Sequence, residues 1–175
     1  IILYLRRQDL LETAAYLQAY KGGYDQIRAF DAVLKRRRPG YLTVIRRWSA
    51  AFGSDNVRTF LYDDVMRDEN DIIGHFMRAL GIDDLSSFSR AVRNNTSWGL
   101  HQAYAARAIR QGCEEAPFER IRAFVETIEP GPRYPVRRAE ALAFYSSFAE
   151  ENEEIRMRYF PDKASLFEED FSMYP

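Results

Sequence analysis

Ile1-Ile2-Leu3-Tyr4-Leu5-Arg6-Arg7-Gln8-Asp9 opens the chain, and its reading decides what fold to expect. The first five residues are apolar, rich in β-formers and free of polar alternation, the pattern of a strand buried on both faces in a parallel sheet. They deliver two arginines to a helical segment, Leu10 to Tyr20, with apolar residues at 10, 11, 14, 15 and 17 and Gly22-Gly23 as its stop. A strand that ends on arginines beside a helix N-terminus joins fork-shaped guanidinium donors to a positive dipole end, which suits a phosphate. Open parallel sheets place their ligands outside the carboxyl ends of their strands. A central parallel strand cannot stand alone, so this reading expects further strands before Ile1, with the rest of the ligand site on them.

Working outward, Tyr24 to Leu34 has helical spacing at Ile27, Phe30 and Leu34 and is broken by Lys35-Arg36-Arg37-Arg38-Pro39-Gly40, a basic, turn-rich loop. Tyr41 to Phe52 carries a broad apolar stripe closed by Gly53 and predicts a helix. Asn56 to Tyr62 reads as a strand ended by a turn at Asp63-Asp64. Strand, helices, strand is a crossover, which predicts a parallel pair. Helices are then expected over Asp71 to Leu80, Ser86 to Arg93, Leu100 to Gln111 and Ala116 to Thr127. A proline-rich loop, Glu129 to Pro135, leads into one long final helix, Val136 to about Tyr159.

Composition narrows the function classes. The 175 residues are 46% hydrophobic and 14% aromatic, enough for one domain with a core. A net charge of −1 argues against a general nucleic-acid binder. Cys113 is the only cysteine, so no intrachain disulfide forms, which fits a reducing compartment. No apolar stretch approaches the roughly 18 to 20 residues that cross a bilayer. His75 and His101 stand far apart without a second ligand at metal spacing, so no metal is expected.

Four segments together resemble the carboxyl-terminal two-thirds of a bacterial, carbohydrate-modifying sulfotransferase. They are Tyr4-Leu5-Arg6-Arg7-Gln8-Asp9 through Tyr16; Trp48 to Gly53 through Asn56-Val57 to Leu61-Tyr62-Asp63-Asp64; Phe76 to Ile82; and Phe148 to Asn152 through Arg158-Tyr159-Phe160 to Leu166-Phe167. The resemblance implies one partial sulfotransferase domain over residues 1–175, with strand-helix units at about 1–82 and a helical part at about 83–175. Its fold would be α/β, a P-loop-NTPase-like parallel sheet with helices on both faces, mostly helical in this chain because amino-terminal strands are missing. Its activity would move a sulfuryl group from 3′-phosphoadenosine 5′-phosphosulfate to a hydroxyl or amine of a glycan or small-molecule acceptor, in a bacterial cytoplasm, without a metal or nucleic acid.

In that family an arginine at the position of Arg6 grips the donor's 3′-phosphate, helped by a serine eight residues on, which is Ala14 in this chain. Ala14 has no donor, and its neighbour Thr13 points about 100 degrees away on a helix. The donor-binding residues implied are Arg6 and Arg7, with Thr13 or Ala14 at the helix position, and Arg133 in a loop that fits the family's donor-closing loop loosely. The alternative for Arg6 and Arg7 is solvated pairing with Asp9 and Glu12. The family's glycine-rich phosphate loop and general base are expected before Ile1, and the catalytic residues with them. Lys35 to Arg38 with Tyr20, Tyr24 and Tyr41 form a possible docking surface for an acidic glycan, against an ordinary solvated loop. Two other function classes stay open: a non-catalytic truncated or degenerate binding module, and another P-loop phosphotransferase relative whose metal ligands would be Asp63 and Asp64.

Overall fold

The computed structural model describes residues 1–22, 40–89, 97–113 and 116–175. In chain order the elements are β1 (Ile2–Leu5), α1 (Gln8–Lys21), α2 (Tyr41–Phe52), a 3-10 turn (Ser54–Asn56), β2 (Arg58–Leu61), α3 (Tyr62–Asp68), α4 (Ile72–Ala79), α5 (Leu100–Gly112), α6 (Phe118–Val125), α7 (Arg138–Ser146) and α8 (Ala149–Tyr159). The chain divides into two units that it visits alternately. Within the described residues, one holds 1–7, 40–89 and 148–168, and the other 8–22, 97–113, 116–147 and 169–175.

The first unit carries the sheet. β1 and β2 pair in parallel with Ile2 opposite Arg58 and Leu5 opposite Leu61, as the crossover order predicts. Leu5 and Leu61 are buried at the carboxyl ends of the strands. α2 forms over the span its apolar stripe predicts, and it packs on α8. Ile45 of α2 and Ile155 of α8 are fully buried, each worth about 1.5–3 kcal/mol of transfer free energy. α8 also caps α2: Glu151 Oε1 accepts the Leu42 N–H at 2.9 Å, and Glu154 pairs with Arg46 at 2.7 Å. Gly40 sits so close to the Glu151 carboxylate that a Cβ there would collide with it.

The second unit is helical. α1 packs on α5 and α7, and α5 on α6. Tyr16, Leu17 and Tyr20 bury one face of α1, while Ala103 and Ala106 keep α5 slim where it is buried. The first turn of α5 is closed by the proline-rich loop, since Leu100 N–H donates to Pro132 O at 2.7 Å and His101 N–H to Pro130 O at 3.1 Å. Gly99 is required at this contact, because a Cβ would strike the Pro130 carbonyl. Asp9 is 2% exposed and accepts a 2.6 Å hydrogen bond from the Tyr174 hydroxyl.

Several expectations are corrected. The α/β fold with a parallel sheet covered by helices on both faces, P-loop-NTPase-like, is not what forms. The described residues are mostly helical, with a two-stranded sheet. The physical reason is that β-rich apolar runs occur only at β1 and β2, and every other long apolar pattern has helical spacing. β1 is not buried on both faces either: Ile2, Leu3 and Tyr4 are half-buried. The turn expected at Asp63-Asp64 is the first turn of α3, where both carboxylates face the positive end of the helix dipole. The long final helix is two, α7 and α8. They break at Ser147, whose hydroxyl bonds back to Phe144 O at 2.6 Å, a side-chain competition that neither glycine nor proline signals. Of the helix expected over Ser86 to Arg93, residues 86–89 are non-helical and the rest lies outside the described residues. Tyr24 to Leu34, Lys35 to Arg38 and Asn94 to Thr96 lie outside them too.

Candidate functional site

The carboxyl ends of β1 and β2 in the first unit gather the side chains with the most evident chemistry. Arg6 follows β1, and Tyr62 and Asp63 follow β2. In-register pairing of Leu5 with Leu61 therefore brings together residues 57 positions apart in sequence. The Arg6 guanidinium carbon lies 5.0 Å from the Tyr62 ring centroid, a cation–π distance. Arg6 Nε lies 3.3 Å from Asp63 Oδ1 as an ion pair, and this buried donor has no hydrogen-bond partner among the described residues. The rest of the Arg6 side chain reaches solvent, being 32% exposed.

The backbone under Arg6 is fixed by one phenol. Tyr41 OH donates to Arg6 O at 2.6 Å and accepts the Arg6 N–H at 3.2 Å. Both backbone groups just past the strand are thus held by a helix-α2 side chain. Arg7 points elsewhere: it is 2% exposed and donates from a guanidinium nitrogen to Glu168 O at 2.8 Å. Asp64 is held by Lys163 at 2.5 Å and Arg67 at 3.2 Å. Both carboxylates considered as metal ligands therefore face cations. Among the described residues no group of three or more His, Cys, Asp or Glu is arranged to hold a metal.

Beside the strands, Tyr4 OH and His75 Nδ1 share a 2.7 Å hydrogen bond, and the His75 ring stands edge-on to Phe60 at 4.5 Å. Burial, then the charge of Glu69, pushes the Tyr4 phenol up. It stays neutral at physiological pH and keeps this bond.

The other predicted residues belong to the second unit. Thr13 is buried and its hydroxyl donates to Asp9 O at 2.9 Å, one turn back along α1. Ala14 is half-buried. Asp9 and Glu12, considered as solvated partners of the arginines, are instead buried at 2% and 6% exposure. Arg133 is exposed and lines a groove with Tyr134 and Arg137. His101 is exposed on α5, with its ring against Gly131, whose φ of 67° is glycine's territory. Glu126, the residue just past α6, is paired with Arg122 at 3.0 Å, and that hydrogen bond holds its carboxyl below the usual range.

Sequence reasoning missed the clamp by Tyr41, which it placed in the apolar stripe of a helix and beside a glycan-docking loop, and the seating of Arg6 between Tyr62 and Asp63. The signal that would have found the seating was the parallel register itself, which puts Arg6 opposite Tyr62. Nothing in the sequence marked Lys163 or Tyr174.

No family model matches the chain, and no solved structure matches it. A curated protein of Archaeoglobus fulgidus, described as an uncharacterized protein, is 27% identical over 188 residues, a match that covers 99% of this chain. The chain spans 50% of that relative's length.

Proposed function

We propose that this chain is part of a sulfotransferase, in which Arg6 holds a phosphate of 3′-phosphoadenosine 5′-phosphosulfate. The observation that carries the reading is the Arg6 guanidinium: anchored at the end of a parallel strand, stacked on Tyr62, open to solvent, and with a buried Nε donor lacking a hydrogen-bond acceptor among the described residues. A phosphate meets the solvent-facing part of this guanidinium, whose fork suits two of its oxygens. When bound, the donor supplies the sulfuryl group, which passes to a hydroxyl or amine of a glycan or small-molecule acceptor while the acceptor loses a proton and adenosine 3′,5′-bisphosphate leaves.

Arg6 neutralises phosphate charge and fixes its position, because Tyr41 pins both backbone groups beside it. Asp63 balances the guanidinium while the site is empty and competes with an incoming anion. Thr13 spends its hydroxyl within α1, and Ala14 offers no donor. Arg7 is committed to Glu168 O, so its part in this reading is to hold the segment behind Arg6. The test is a calorimetric titration with adenosine 3′,5′-bisphosphate, with adenosine as the control. Saturable binding of the bisphosphate and none of adenosine supports the reading; equal heats from both defeat it.

A further inference from the structure

Asp63 and Asp64 stand side by side in the first turn of α3, next to Arg6. Two uncompensated carboxylates there would turn the strand end acidic and repel the anion that the guanidinium suits. Asp63 faces Arg6 itself at 3.3 Å. Asp64 is answered by two other cations, Lys163 Nζ at 2.5 Å and Arg67 at 3.2 Å. Those two cations are not equivalent. Arg67 is exposed and also pairs with Asp68 at 3.1 Å, so solvent and a second acid dilute its charge. Lys163 is half-buried and sits on a fixed segment of the first unit. Its N–H donates to Phe160 O at 3.1 Å, its carbonyl accepts from Arg156 of α8 at 2.8 Å, and Leu166 and Phe167 just beyond it are buried. An ammonium on a tethered backbone loses less freedom when it pairs.

We propose that Lys163 is a positioning residue of the Arg6 site, which it keeps receptive to an anion by neutralising Asp64. In these ion pairs Arg6, Arg67 and Lys163 balance Asp63, Asp64 and Asp68. Without the ammonium the same set is net negative, and Asp64 adds its repulsion to that of Asp63. The inference rests on the reading of Arg6 as a phosphate anchor and assigns a role to a side chain that does not touch the ligand. It also accounts for two adjacent carboxylates at a strand end that binds no metal in this reading.

The test is calorimetric titration with adenosine 3′,5′-bisphosphate of wild type, Lys163→Arg, Lys163→Met, and the double variant Lys163→Met with Asp64→Asn. Melting temperatures establish that each variant folds. One unscreened charge within the Debye length of about 10 Å at 0.1 M salt shifts the affinity of a dianion by about 3- to 10-fold. Lys163→Met should bind weaker by that factor at about 0.1 M salt, and within about twofold of wild type at about 1 M, where the Debye length is about 3 Å. Lys163→Arg keeps the charge and should stay within about twofold of wild type. The double variant should recover wild-type affinity, because the charge balance returns although the contact stays broken. A strut acting through shape alone would leave the double variant as weak as Lys163→Met. That result, or unchanged affinity in Lys163→Met, overturns the inference and leaves Arg6 in place; a wild type that binds no bisphosphate defeats the reading of Arg6 and this inference with it.

Discussion

Removing the carboxylate of Asp63 isolates the electrostatics at the end of the strands. In Asp63→Asn the partner of Arg6 keeps its size and loses its charge. The pair is partly exposed on both sides, 32% for Arg6 and 45% for Asp63, so solvent screens it and its worth is about 0.2–1 kcal/mol. An anion arriving at Arg6 must give up or share that pairing in the wild type and meets no such competitor in the variant. At 1.4 kcal/mol per decade, affinity for adenosine 3′,5′-bisphosphate rises by about 1.5- to 5-fold. The gain shrinks as salt shortens the Debye length from about 10 Å at 0.1 M to about 3 Å at 1 M. Titrations of wild type and variant at both salt concentrations measure it. Weaker binding in Asp63→Asn, or a gain that grows with salt, would refute the placement of Asp63 as a competitor for Arg6.

Two further outcomes follow from the packing. Glu151→Ala removes the α2 cap at Leu42 N–H, and Gly40→Ala displaces the same carboxylate with a new Cβ, so each costs about 1 kcal/mol; urea melts of the singles and the double should show that the costs do not add, and additivity would separate them. Glu126 has a folded pKa lowered by its hydrogen bond to Arg122. Its contribution is therefore full above the unfolded value of about 4.3 and lost as pH falls through the lower folded one. The melting-temperature gap between wild type and Glu126→Gln accordingly closes in that acid window, and a gap that persists at the acid end contradicts the pairing.

What the sequence disclosed was local. The apolar stripe of Tyr41 to Phe52 marks α2 end for end, because an amphipathic period and a terminal glycine are properties of the segment alone. The crossover from Ile1–Leu5 to Asn56–Tyr62 predicted the parallel pair for a similar reason: chain order constrains strand direction. What it could not give was the extent of the sheet. An all-apolar strand looks the same whether neighbours cover both faces or it is half-buried beside one partner, as β1 is. The break at Ser147 depends on a hydroxyl choosing a backbone carbonyl, which competes evenly with helix continuation in sequence terms. The place of Arg6 at the end of β1 was legible because its position after a strand is sequential. Its partners Tyr62 and Asp63 depended on register, and Tyr41 on how α2 packs. The hydroxyl of Thr13 bonds its own helical turn at Asp9 O, a partner that a helical-position reading does not reveal.

The central claim rests on Arg6, and the most direct measurement compares adenosine 3′,5′-bisphosphate affinity in wild type, Arg6→Lys and Arg6→Ala by calorimetry, with melting temperatures alongside. One charge-assisted contact is worth about 1.5–3 kcal/mol, so Arg6→Ala should bind about 10- to 100-fold more weakly. Its stability should change by no more than about 1 kcal/mol, the upper worth of a partly exposed pair. Arg6→Lys should fall between, keeping the charge and losing the fork. Equal affinity in all three proteins would contradict the claim and remove the phosphate from the strand end.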